Sequence, residues 1–164
     1  MVVFIYFAAI VAANLLIAAF GPWFSIINSF VLIGLDLVLR DHLHDSWQGK
    51  GFLPRMLGLI VGAGAVSYLL NPASGQIALA SAIAFSAAGL INMVVYQLLI
   101  KKRYLQRVNA SNAPAAATDS ILFPTIAFGV VMPEIIAAQF AAKFLGGFVW
   151  SIVIMKLLGK EQSA

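Results

Sequence analysis

The sequence predicts an all-α membrane protein, a bundle of six transmembrane helices, and three observations lead there. First, the 164 residues are 62% hydrophobic and 10% charged, with a mean hydropathy of +0.98. Soluble domains average about 45–50% apolar and about 25% charged, so a soluble fold has too little interior to hide this apolar surface. Second, apolar runs of spanning length recur along the chain; a spanning helix needs roughly 20 predominantly apolar residues. Third, the cationic residues gather between alternate runs, as the positive-inside rule requires. The length suits one transmembrane domain, residues 1–164, rather than two.

Residues 2–20 carry no charge and close at Gly21-Pro22. The first cation is Arg40, so the basic start of a secretory signal is missing and a first membrane helix is expected instead. The second span, 24–39, is polar only at Ser25, Asn28, Ser29 and Asp36. A polar loop is expected over 40–51. The third span, 53–70, is rich in glycine (Gly58, Gly62, Gly64), and Asn71-Pro72-Ala73-Ser74-Gly75 reads as a turn. The fourth, 77–100, stops at Lys101-Lys102-Arg103. Residues 107–118 read as a polar, alanine-rich linker. A short fifth span covers 120–133, with Asp119-Ser120 as its N-cap. Pro133-Glu134 reads as a tight turn, and 135–155 is the sixth span.

With both termini cytoplasmic, Arg40, Lys50, Arg55, Lys101, Lys102, Arg103, Arg107, Lys156 and Lys160 all fall inside, leaving Lys143 as the exception. Three spans per half give the halves opposite orientations, which permits an inverted repeat. Each half opens on a helix with one asparagine, Asn14 and Asn92. Gly58, Gly62 and Ala65 are spaced for close helix packing, their ordinary meaning in membranes.

Ionisable groups inside a span are costly and mark bundle interiors or water-filled cavities. Asp36 and Lys143 are the clearest cases. Arg40 follows Asp36 at i+4 in the favourable acid-first order, so this pair is either a local salt bridge at a helix end or part of a gate or substrate contact. Lys143 either snorkels to the outer interface or turns inward, to hold an acceptor-rich substrate or to pair with Glu134 or Asp36. Asn14, Asn28, Asn92, Gln97 and Gln139 each donate and accept, which suits the edge of a planar heterocycle. Each also suits a bond to a neighbouring helix. Phe123, Phe128, Trp23 and Trp150 could stack on a flat ligand, or for the tryptophans anchor at the interface.

The densest polar run is Asp36, Arg40, Asp41, His42, His44, Asp45. Two histidines at i, i+2 point apart on a helix, so a solvated juxtamembrane turn is favoured over a metal site. The chain has no cysteine, which excludes disulfides and thiolate sites. It also lacks the phosphate-binding G-x-x-x-x-G-K-[ST] pattern. No cofactor and no catalytic residue are expected. The net charge of +4 fits anionic lipid headgroups better than nucleic acid.

Several of these residues resemble the VUT (putative vitamin uptake) family of bacterial queuosine-precursor transporters. Ala13-Asn14-Leu15 is similar to the family's first-helix step, and Leu35-Asp36-Leu37 with Arg40 to its T/G-D-L-x-x-R element. Ser111-Asn112, then Asp119-Ser120-Ile121-Leu122-Phe123 and Ile126-Ala127-Phe128, resemble its S-N … D-S/T-x-x-F-x-x-I-A-F signature, and Lys143 stands where the family has a lysine. The resemblance implies uptake of 7-cyano-7-deazaguanine or a related deazapurine across the inner membrane. It also implies a fold similar to the substrate-binding subunits of energy-coupling-factor transporters. The chain is shorter than many members, and 41–47 has no family counterpart. The substrate-binding set expected from residues and resemblance together is Asn14, Asp36, Arg40, Asn112, Asp119, Phe123 and Lys143.

The expectation is therefore a multi-pass inner-membrane importer of a planar, purine-like compound. A coupling proton at Asp36 and a homo-oligomer are both open to it. Three other readings stand beside it: a substrate-capture subunit needing energising partners, a small membrane enzyme built on the Asp/His run, and a structural membrane protein with no ligand.

Overall fold

The computed structural model describes residues 1–47 and 51–157. Lys50 and Lys160, two of the cations assigned to the cytoplasmic side, lie outside them. The described residues are almost wholly helical, with no strand. Helix α1 is Val2–Phe20. Helix α2 (24–47) runs from Phe24–Asn28 through a π turn, Ser29–Ile33, into Gly34–Trp47 without a break. Helix α3 is Phe52–Leu70; α4 is Gly75–Leu98, led by a 3-10 turn at Pro72–Ser74. Helix α5 is Tyr104–Phe128 and α6 is Pro133–Leu157.

Among the described residues, four helical segments are long and apolar enough to cross a membrane: Val2–Phe20, Phe52–Leu70, Pro72–Leu98 and Pro133–Leu157. Helices α2 and α5 carry most of the buried charge. The distribution of polarity is inverted relative to a soluble protein. Asp36, Arg40, Asp41, Asn92, Gln139 and Lys143 are buried, while Phe4, Val61, Leu69 and Leu98 stand exposed. Such an exterior matches lipid, and such an interior gathers the polar groups within the bundle. Helix α3 shows the pattern most simply: Phe52, Met56, Ile60, Ala63 and Ser67 turn inward at helical spacing, and most of its other side chains face out.

The sequence reading needs three corrections. The loop expected over 40–51 is helical through Trp47, and Arg40 and Asp41 are buried rather than solvated. The linker expected over 107–118 is the first half of α5. Its alanines favour helix, and its Ser111 and Asn112 find partners on α4, which removes their usual preference for turns. Asp119 is therefore mid-helix and not a cap. Pro133-Glu134 is not a turn but the start of α6, where proline lacks only a donor the helix would not have used. The turn lies just before it, opened by Gly129 at φ 71, a left-handed cap.

Two features aim polar groups at the bundle axis. The π turn in α2 adds a residue, so Ser25 and Asn28 before it, Ser29 and Ile33 within it, and Asp36 and Arg40 after it all face inward. Glycines then let α6 cross α2 at backbone contact. A Cβ on Gly34 would lie 2.7 Å from the carbonyl carbon of Gly146. One on Gly146 would strike the Phe30 carbonyl. Trp150 of α6 closes the same crossing by donating from Nε1 to the Val31 carbonyl at 2.9 Å.

Candidate functional site

The site begins with Lys143, two to three turns into α6 and 1% exposed. An ammonium has three protons to place. Lys143 places them on Asp119 Oδ2 at 2.7 Å, Gln139 Oε1 at 2.8 Å and Ser120 Oγ at 3.1 Å. Gln139 passes the network on: its Nε2 donates to Ser25 Oγ at 2.7 Å, and Ser25 donates to the Pro22 carbonyl. One hydrogen-bonded chain thus joins α5, α6 and α2. The partner of Lys143 is Asp119 of α5, not Glu134 or Asp36.

A second ion pair lies on α2. Arg40 Nη2 meets Asp36 Oδ2 at 2.7 Å, and both residues are buried. The buried Tyr6 hydroxyl lies near both Asp36 and Arg40, while Arg40 Nε and Nη1 and Asp36 Oδ1 make no hydrogen bond of full geometry. The guanidinium carbon sits 5.8 Å from the centroid of the Phe85 ring, within cation–π range. Gly89 leaves room for it, a Cβ there falling 3.6 Å from Nη1.

Beside the Lys143–Asp119 pair lies a small cavity of about 10 Å³. That is space for about one water, so the bundle is closed around it. Asp119, Lys143, Gln139, Asn28, Ser29 and Ser81 line it, with the rings of Phe85 and Phe123. Two polar groups on its wall are unsatisfied. Asp119 Oδ1 has no partner, and neither do Nδ2 and Oδ1 of Asn28, which is 2% exposed. Buried polar atoms are nearly always hydrogen-bonded, and an orphan needs a reason. Here a free carboxylate oxygen and a whole free amide face one space.

The expected site residues divide accordingly. Asp119, Phe123 and Lys143 line the cavity together. Asp36 and Arg40 lie beyond Phe85, where Arg40 faces a separate gap with Phe52, Met56, Ile60 and Gly89. Asn14 stands behind the wall. It donates to Ser67 Oγ at 3.2 Å and accepts from Ser81 Oγ at 2.6 Å, clasping α1, α3 and α4. Asn112 accepts from Asn92 Nδ2 at 2.9 Å, two turns away from Asp119 on α5. The two asparagines that suggested an inverted repeat, Asn14 and Asn92, clasp non-equivalent helices. Trp150 packs with Val38, Tyr96 and Val108, and Trp23 is exposed; neither touches the cavity. Ser25, Ser81 and Phe85 went unread as site residues, because only the tertiary fold shows which serine or phenylalanine faces inward.

Charge is balanced in the lining: the Asp119 carboxylate stands against the Lys143 ammonium, in contact at 2.7 Å. Such a lining suits a neutral polar guest better than an ion, because a net-charged guest would bury an unmatched charge.

A family model described as "Putative vitamin uptake transporter" matches residues 1–157. No curated protein and no solved structure matches the chain.

Proposed function

We propose, from the premise that the chain belongs to the putative vitamin uptake transporter family, that it imports a neutral, planar, nitrogen-rich heterocycle such as 7-cyano-7-deazaguanine or a related queuosine precursor. The observation that carries this reading is the pair of unsatisfied groups on the cavity wall, the Asn28 amide and Asp119 Oδ1, between the rings of Phe85 and Phe123. An amide and a carboxylate oxygen together match a ligand edge with adjacent donors and acceptors. The two rings offer faces on which a flat ligand can stack.

The cavity is too tight for such a ligand as it stands, so import requires the helices to part. The π turn in α2, Pro124 one residue beyond Phe123, and the glycine crossing of α2 on α6 are where they can. Substrate would take up the free valences of Asn28 and Asp119 while Lys143 stays anchored to Ser120 and Gln139. In this reading all six helices span a bacterial inner membrane, with both termini cytoplasmic, supported by the placement of the cations.

The test is complementation. A strain unable to make the precursor would express the chain, and modification of its tRNA would be scored with precursor supplied in the medium. Rescue by this chain without added partner subunits supports the reading and disfavours a capture subunit. No rescue despite confirmed membrane expression overturns the assignment.

A further inference from the structure

We propose that Asp41 is a proton-binding site that couples transport to a proton gradient, an inference that rests on the transporter reading above. Asp41 lies beside Arg40 on α2, wholly buried, with the Asn92 amide of α4 near its carboxylate but no hydrogen bond of full geometry to either oxygen. The cations nearest it are already engaged. Arg40 holds Asp36 at 2.7 Å. Arg107 holds Asp45 at 3.1 Å, donates to the Ile100 carbonyl at 2.9 Å, and lies over the Tyr96 ring at 4.6 Å. A bare carboxylate in such a place carries a large desolvation cost. Binding a proton removes that cost without requiring a cation.

The surroundings suit a proton that comes and goes. Arg40 and Asp45 face Asp41 from α2, Asn92 from α4, and Arg107 from α5. Tyr96 of α4 and Tyr104 of α5 complete the polar shell. On the solvent-facing side of this cluster, the Asp45 and Arg107 side chains are 22% and 14% exposed, so one pair separates the carboxylate from water. On the inner side, Asn92 bonds to Asn112, two turns along α5 from Asp119, and Arg40 leads to Asp36. Release of the proton leaves a carboxylate beside Arg107, the cation that ties α2 to α5. Re-pairing Arg107 from Asp45 to Asp41, one turn back on the same helix, would shift that tie along α2 and release Asp45 at the exposed end of the cluster. The site is separate from the substrate cavity, which Asp41 does not line.

The experiment uses the whole chain in proteoliposomes with radiolabelled 7-cyano-7-deazaguanine. Wild type should exchange label across the membrane without a gradient, and accumulate it when the interior is made alkaline. Asp41→Asn mimics the protonated side chain. It should keep exchange but lose gradient-driven accumulation and lose the pH dependence of exchange. Infrared spectra of the purified protein supply a second readout. The carbonyl stretch of a neutral carboxylic acid should be present in wild type, absent in Asp41→Asn, and shifted in frequency in Asp41→Glu. If Asp41→Asn still accumulates label under a gradient, or the carbonyl band persists in it unchanged, the proton site is wrong while the transporter reading stands. If wild type itself shows no exchange, both fall together.

Discussion

At the scale of single residues, satisfaction separates side chains that hold the bundle from side chains that await a guest. Asn14 has both ends of its amide engaged, so Asn14→Ala leaves the Ser81 hydroxyl without its acceptor and Ser67 with only its bond to the Ala63 carbonyl. It should destabilise the protein by about 1–3 kcal/mol, read as a lower midpoint in detergent melting. Asn28 has neither end engaged. Asn28→Ala removes an unpaired buried amide and should leave the melting midpoint unchanged or raise it, while weakening substrate binding about tenfold or more, the worth of one good hydrogen bond to the ligand. Equal loss of stability in the two variants would show that Asn28 is merely another clasp. Lys143 belongs to both classes. Lys143→Met strands Asp119 as a buried charge and should cost about 3–5 kcal/mol. Adding Asp119→Asn to it should restore much of the stability but none of the transport, and uptake by that double variant would remove the pair from the mechanism.

At the scale of the helix, close approach matters more than composition. Gly146→Ala drives a Cβ into the Phe30 carbonyl, and Gly34→Ala places one 2.7 Å from Gly146 backbone. Neither neighbour can give way, so both variants should force α2 and α6 apart and lose folded yield. Gly58→Ala meets nothing within 4 Å and should gain up to about 1 kcal/mol from helix propensity. A melting series of the three checks the contrast, and an unharmed Gly146→Ala variant would mean that α6 does not pack on the π turn. The same scale shows what was legible in the sequence. The Asp36–Arg40 pair was readable because i+4 neighbours share a face whatever the fold does. The Asp119–Lys143 pair joins two helices 24 residues apart in the chain, and no local pattern announces it. The run over 107–118 misled for the opposite reason. Asn109, Ser111, Asn112 and Pro114 favour turns when alone, but Asn92 and the backbone carbonyls of Leu105 and Val108 give each of the first three a hydrogen bond inside a helix.

At the scale of the whole molecule, the inverted polarity makes a claim about sidedness that does not depend on the substrate. If the cations mark the cytoplasmic face, the turn at 99–103 lies inside, and the turns at 21–23, 71–74 and 129–132 lie outside. The native chain has no cysteine, so a single introduced thiol reports its own position without background. Trp23→Cys, Ala73→Cys and Val131→Cys, all exposed in the fold, should react with a membrane-impermeant maleimide in intact cells. Lys102→Cys should react only after the membrane is opened. The four positions constrain one another, because α1 to α6 are joined by short turns and a helix that fails to cross reverses the sidedness of everything after it. Labelling of Lys102→Cys from outside would therefore turn over the helix count as well as the orientation. It would also place the Asp45–Arg107 pair at the outer face, where the proton released by Asp41 would leave in the wrong direction for uptake.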